Sequence, residues 1–228
     1  MTRNRHGDKP NPFKPQPRKV EVFRNGVTAT VTQPVTLRKE PVCWGIPMDE
    51  LCFSLWFTNF IHLPVMPWDN MSSTISTYLP DARNAIHASF LKMPENVEWL
   101  VMLDSDVMPP PGFLDRLLSY RKPLVGGWYK RKGNKNEPVV YDYSHTDSDG
   151  VSRWKIREKP GQGLEKVDGI GAGILLMRRD LAEALGPKPY SMERGGEDLE
   201  LCLRVKELGY EIFVDWSVAC AHAGVGIT

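Results

Sequence analysis

Residues 99–106 read Trp-Leu-Val-Met-Leu-Asp-Ser-Asp, five apolar side chains followed at once by two carboxylates. A continuous apolar run of that length fits a strand covered on both faces, as in the middle of a parallel sheet. Where the run stops matters equally. In open α/β sheets, ligands bind in the crevice beyond the carboxyl ends of the strands. Asp104 and Asp106, two residues apart where strand gives way to loop, can converge on one hard cation. Such a cation can bridge the phosphates of a nucleoside diphosphate and stabilise charge on a departing group. Acidic pairs at strand ends are often only solvated; the buried strand before this pair is what directs it into a crevice.

The chain contains its own control. Asp147-Ser148-Asp149 repeats the same letters, but with Gly150 it separates VVYDY (139–143) from VSRWKI (151–156). Asp and Gly between two alternating segments read as the turn of a β-hairpin.

Working outward toward the N-terminus, Pro80-Asp81 opens a helix that Asp81 can cap. Ala82, Ala85, Ile86, Ser89, Phe90 and Met93 fall on one of its faces. The stretch from His62 to Ser76 offers no evident strand with a base-reading acidic residue. Residues 50–62 (ELCFSLWFTNFIH) are apolar nearly all round, which predicts a helix buried or covered by another element. Val42 to Ile46 is a short buried strand stopped by Pro47. Toward the C-terminus, a short helix carries Phe113, Leu114, Leu117 and Leu118, and Leu124–Tyr129 is a further strand. Val167–Met177 is extended but broken by three glycines, and a helix follows at about 180–185. Gly195-Gly196 precede a helix from Glu197 to Leu208 that Gly209 ends, and Tyr210–Val214 is the last strand. Strands alternating with helices predict an α/β fold, a mostly parallel sheet flanked by helices with a small β-hairpin insertion.

The 228 residues are 41% hydrophobic and 25% charged, ordinary for a globular chain, and suffice for one sizeable domain plus a tail. A net charge of +1 gives no whole-chain attraction to nucleic acid or membrane. The charge is uneven, however: residues 1–40 hold nine Lys and Arg against three Asp and Glu. With four prolines in the first nineteen residues, residues 1–40 read as a basic arm and 41–228 as the folded domain. Within the arm, Val20 to Val35 alternates enough for one or two short strands. Cys43, Cys52, Cys202 and Cys220 show no CxxC spacing, and three lie in apolar segments, as reduced buried thiols do. Cys220 and His222 resemble half a zinc site without a second ligand pair. The polar N-terminus does not look like a signal peptide, and no apolar run approaches the roughly 18–20 residues of a membrane span. The expected compartment is the cytoplasm.

Two further constellations carry chemistry. Gly195-Gly196-Glu197-Asp198 opens a helix; glycines admit a ligand close to the backbone, and a helix N-terminus facing a crevice can hold a general base beside a hydroxyl. Acidic residues in a first helical turn also have a plain explanation in the helix dipole. His222 lies among small residues in ACAHAG (219–224), where a neutral imidazole can complete a metal site begun by carboxylates. Trp128, Tyr129 and Trp154 can stack on a sugar or simply pack. Lys130-Arg131-Lys132 can meet a diphosphate, or form a solvated strand end.

Taken in order, DSD after a buried strand, the DGIGAGILLMRRDL segment, GGEDLELCLRVKELGYEIFVD and a following histidine resemble the GT-A glycosyltransferases, closest to the family-2-like group. Ile46-Pro47 and Ala82-Arg83-Asn84 share in the resemblance, which spans about residues 42–224 and is closest to small single-domain forms from bacteria and bacteriophages. It implies a metal-dependent enzyme moving a sugar from a nucleotide-diphosphate-sugar donor to an acceptor hydroxyl, in the host cytoplasm if phage-encoded. Pro47 would line the nucleotide pocket with Arg83 nearby, Asp104 and Ser105 would contact the donor, and Gly171 to Gly173 would let backbone pass close to the sugar. Asp106 would bind Mn²⁺ or Mg²⁺ with His222, with Asp104 in support. Asp198 would be the base of an inverting reaction and Glu197 a helper; related retaining enzymes also carry GGED-like segments. The acceptor stays open among saccharide, lipid, protein and modified nucleic acid. The alternative is a catalytically inactive GT-A-like carbohydrate- or nucleotide-binding protein. LDSDV also resembles the nucleophile loop of haloacid-dehalogenase-like phosphatases, but that loop normally opens its domain, and GGED has no role there.

Overall fold

A computed structural model describes residues 18–24, 27–33, 38–48, 54–75, 77–133 and 137–223. The chain divides into two units, Met1–Lys39 and Glu40–Thr228. In the first, β1 (Arg18–Arg24) pairs antiparallel with β2 (Val27–Gln33), so both strands permitted by the alternation form. Residues 1–17 of the expected arm lie outside the described residues.

The second unit is built on a seven-stranded sheet. Its strands are β3 (Val42–Met48), β4 (Asn70–Ile75), β5 (Trp99–Leu103), β7 (Leu124–Trp128), β10 (Leu164–Val167), β12 (Ile174–Arg178) and β13 (Ile212–Ala219), in the order β10-β13-β7-β12-β5-β3-β4. Five strands run one way; β12 and the edge strand β10 run against them. The sheet is therefore mainly parallel.

The alternation of β5 explains why it must be central. Leu100 and Met102 enter a core with Cys43 and with helices α2 (Leu79–Leu91), α4 (Arg179–Leu185) and α5 (Glu197–Glu207). Trp99, Val101 and Leu103 enter a second core with Trp44 and the α3 helix (Phe113–Ser119). All five residues are buried, as in a strand covered on both faces. Each such side chain contributes roughly 1.5–3 kcal/mol of hydrophobic stabilisation.

Several local expectations are corrected. Pro47 does not stop β3: the strand runs on to Met48, because pairing with β5 ends at Gly45 and only β4 continues alongside, so the missing N–H is tolerated. A strand, β4, does form within 62–76; its polar Ser72, Ser73 and Thr74 gave no apolar signature, and as an edge strand it leaves Met71 and Ile75 exposed. The α1 helix (Ser54–Phe60) buries Trp56 but exposes Phe57, so it is not covered all round. Asp81 sits in the first turn of α2 without capping it; the N-cap position belongs to Tyr78. The hairpin is present, β8 (Val140–Thr146) against β9 (Ser152–Ile156), joined by β11 (Gly169–Ile170) in a three-stranded sheet. Asp147 serves its turn, accepting from the Asp149 and Val151 amides and from Arg153.

Candidate active site

Because β3, β5, β7 and β13 share a direction, their carboxyl ends open on one edge of the sheet. Asp104 follows β5 directly and Asp106 two residues later. The chain then forms β6 (Val107–Met108), which pairs with β14 (Ala221–His222), setting His222 opposite Val107. The Ala223 amide donates to the Asp106 carbonyl at 2.7 Å. Residues more than a hundred positions apart are thereby fixed side by side.

In this arrangement His222 Nε2 lies 3.3 Å from Asp106 Oδ2. Its other nitrogen, Nδ1, donates to the Lys130 carbonyl at 2.8 Å, which leaves Nε2 facing Asp106. A carbonyl holding the far nitrogen is the usual outer support of a metal-binding histidine. Two ligands in neighbouring positions of a six-coordinate ion with bonds of about 2.1 Å stand about 3 Å apart, so the pair fits a divalent cation. Lys132 Nζ, itself a cation, is ion-paired with Asp106 Oδ2. Burial would raise the Asp106 pKa, but His222 and Lys132 outweigh it and hold the group down to about 2. Burial likewise opposes a charge on His222, and the Asp106 and Lys130 oxygens outweigh it, raising the imidazole above its ordinary value.

Asp104 is held by Arg83. Both its oxygens accept from Arg83 Nη2 at 2.8 Å, while Arg83 Nη1 donates to Glu197 Oε1 at 2.9 Å. Among the described residues, no three His, Cys, Asp or Glu side chains form a ready metal site; Asp106 and His222 stand as a pair. Arg83, expected beside the nucleotide, is 2% exposed and lies inside the protein as the link between the strand-end aspartate and the acidic turn of α5. Two carboxylates outweigh the burial that opposes its charge, and its pKa is raised. The neighbouring Asn84 holds the loop before α5, exchanging hydrogen bonds of 2.8 and 3.0 Å with the Tyr190 backbone.

Asp198 stands in the first turn of α5 after Gly196, whose backbone is extended. Its Oδ1 accepts from the Leu199 amide at 2.8 Å, and among the described residues no cation is ion-paired with it. Burial first, then the adjacent Glu197 charge, push its pKa up to about 6, against the pull of Arg83. The buried Tyr129 hydroxyl is pushed well above its ordinary value by burial and then by Asp104 and Asp198. The two carboxylates thus act on one phenol.

Tyr129 also accounts for the glycines. A Cβ on Gly171 or on Gly173 would come within 2.6 Å of the Tyr129 hydroxyl oxygen, which itself accepts from the Gly173 amide at 3.1 Å. The space these glycines leave is filled by this ring, which packs edge-on to His222 at 4.9 Å. Buried in this way, Tyr129 presents no open face for a sugar to stack on. Pro47 is buried near the end of β3, and Ser105 is partly buried in the turn between β5 and β6. Trp128 donates to the Trp216 carbonyl, and Trp154 packs against Tyr143 and Gly169. Sequence reasoning missed the Arg83 linkage and the Lys132 ion pair, since both partners of each are distant in the chain and no spacing announces them.

No family model matches the sequence, and neither does any curated protein. Solved structures do resemble it. "A197 from STIV" superimposes with a TM-score of 0.58 at 18% identity, over 79% of this chain and 85% of that one. "GalNAc-T7 with UDP, GalNAc and Mn2+" gives a TM-score of 0.54 at 13% identity, over 80% of this chain and 44% of the other. This chain therefore matches under half of that longer protein. At these identities the likeness is one of fold, the GT-A type of mixed α/β sheet.

Proposed function

We propose that this chain is a metal-dependent glycosyltransferase that moves a sugar from a nucleotide-diphosphate-sugar donor to an acceptor hydroxyl, with inversion and with Asp198 as the general base. One observation carries the reading: the Asp106–His222 pair and the Asp104–Arg83–Glu197 linkage, with Asp198 beside it, meet at one edge of a GT-A sheet. That the related fold in GalNAc-T7 was solved with UDP, GalNAc and Mn²⁺ supports a donor and cation of the same chemical kind.

Asp106 Oδ2 and His222 Nε2 would hold Mn²⁺ or Mg²⁺. When bound, such an ion neutralises charge on the leaving diphosphate. The remaining roles belong to the chain. Asp198 would take the proton of the acceptor hydroxyl at a carboxylate oxygen; a pKa near 6 keeps it deprotonated at neutral pH yet makes it a stronger base than an ordinary aspartate. Glu197, fixed by Arg83, sustains that raised pKa through its charge. Arg83 positions both ends of the site. The buried ring of Tyr129 backs His222 and excludes water behind it.

The test is release of nucleoside diphosphate from a panel of nucleotide-sugars with Mn²⁺, since slow donor hydrolysis reports the enzyme without its acceptor. Asp198→Asn should abolish transfer while sparing donor binding. Donor binding without turnover, across the panel and with several acceptors, would instead identify a non-catalytic binding protein.

A further inference from the structure

Lys132 sits in a half-fixed position. The base of its turn is pinned: Val139 N donates to the Tyr129 carbonyl at 3.0 Å, Arg131 N to the Glu137 carbonyl at 3.1 Å, and the Lys130 carbonyl accepts from His222. Beyond that base, Gly133 adopts a positive φ of 74°, and the Lys132 side chain is 54% exposed although its ammonium rests on Asp106 Oδ2. The oxygen it occupies is the same one that faces His222 Nε2 at 3.3 Å. A flexible four-carbon stem thus carries a positive charge to the oxygen a divalent cation needs.

We propose that Lys132 is a resident counter-ion that makes metal binding conditional on the diphosphate, an inference that rests on the metal-dependent reading of the site. In the free protein Lys132 neutralises Asp106. Lys132 and a divalent cation on that oxygen repel each other, so metal alone must first displace the ammonium. A diphosphate arriving with the cation offers the displaced ammonium new oxygens within reach of its stem. Lys132 then opposes the free metal and favours the metal–nucleotide pair. The site is thereby tuned to the complex and discriminates against the bare ion. No bond is made or broken in this exchange; one ion pair is replaced by another.

The experiment uses the full chain and reads binding, not turnover. Mn²⁺ is titrated by electron paramagnetic resonance, alone and with uridine or guanosine diphosphate; nucleotide affinity is measured by calorimetry at saturating Mn²⁺. Lys132→Met keeps the stem's bulk without the charge, at an exposed position. Its expected behaviour is Mn²⁺ binding about three- to tenfold tighter without nucleotide, and nucleotide binding about three- to tenfold weaker with metal, the scale of a partly exposed ion pair. Lys132→Arg should restore the wild-type pattern. Equal or weaker binding of free Mn²⁺ by Lys132→Met, with an Asp106-dependent site intact in the wild type, overturns the Lys132 role alone. Absence of any Asp106-dependent Mn²⁺ binding, with or without nucleotide, overturns the metal-site reading and this inference together.

Discussion

Replacing Arg83 by methionine removes the one guanidinium that joins the two halves of the site. Arg83 is 2% exposed, and its three hydrogen bonds, at 2.8, 2.8 and 2.9 Å, end on Asp104 and Glu197, whose side chains are only 20% and 15% exposed. Methionine fills much of the volume, so the loss is electrostatic. Removing one member of a buried ion pair costs about 3–5 kcal/mol, because the orphaned charge stays behind, and here two carboxylates are orphaned. For a chain of this size each kcal/mol moves Tm by roughly 2–4 °C, so a fall of about 6–20 °C is expected. Urea unfolding followed by tryptophan fluorescence measures it, with Tm as a check. Adding Asp104→Asn and Glu197→Gln to Arg83→Met removes the orphans and should recover at least half of the loss. Arg83→Lys should fall between, since an ammonium cannot reach two carboxylates as the planar guanidinium does. An Arg83→Met protein within about 1 kcal/mol of wild type, or one that the added neutral partners fail to rescue, would refute the reasoning.

Asp198→Asn should lower transfer by at least about 100-fold, the low end for loss of a general base. With wild type, kcat/KM should climb as pH rises through about 6, the value to which burial and Glu197 push Asp198; Glu197→Gln should move that limb to lower pH. The same shift has a stability sign. Folded Asp198 holds its proton up to about 6 against 3.8 ordinarily, so the protein loses stability as pH rises from about 4 to 6, and Asp198→Asn should be more stable at pH 7 by up to about 3 kcal/mol in urea unfolding. Gly173→Ala should cost about 1–3 kcal/mol by overpacking. Tyr129→Phe should not rescue it, because ring carbons remain 2.7 and 2.9 Å from the new Cβ. His222→Ala should weaken Mn²⁺ binding at least about tenfold, whereas Asp147→Ala, in the other DSD sequence, should leave it unchanged.

How much could be read beforehand depended on whether the signal was local. Trp99–Leu103 announced its burial because a strand between two helical layers needs an apolar residue at every position, and that is visible in five letters. The two DSD sequences could be told apart by their neighbours alone, Leu103 before one and Gly150 after the other. β4 was invisible for the converse reason: an edge strand with one face on α2 tolerates Ser72, Ser73 and Thr74, and its pairing with β3 leaves no trace in composition. The glycines at 171 and 173 were noticed, but their cause was not. Their notch fits Tyr129, more than forty residues earlier, and nothing in the segment itself says whether a ligand or a ring will fill it. The proximity of Asp106 and His222 came only from the ordered set of motifs; the physical reason, pairing of two-residue strands β6 and β14, is too short to predict from sequence.

The charges around the cleft explain why these parts belong together. Asp104, Asp106, Glu197 and Asp198 bring four negative charges, and Arg83 and Lys132 return two. Those six groups sum to minus two, opposite in sign to a divalent cation. Arg83 is locked between Asp104 and Glu197, so one of the four negative charges is compensated by a buried cation that serves the framework. Asp106 is paired with Lys132, whose side chain is half-exposed, while among the described residues Asp198 has no ion-pair partner and feels only the pull of Arg83. On the proposed reading, the fixed cation holds the framework and the movable one takes part in the exchange. The same reading also predicts which charge reversals are tolerated: Lys132→Glu should fold but bind Mn²⁺ more tightly and nucleoside diphosphate more weakly than Lys132→Met. Arg83→Glu, adding a third buried carboxylate to two, should not fold at all. Recovery of soluble, cooperatively unfolding Arg83→Glu protein would show that the cleft's acidity is not partitioned in this way.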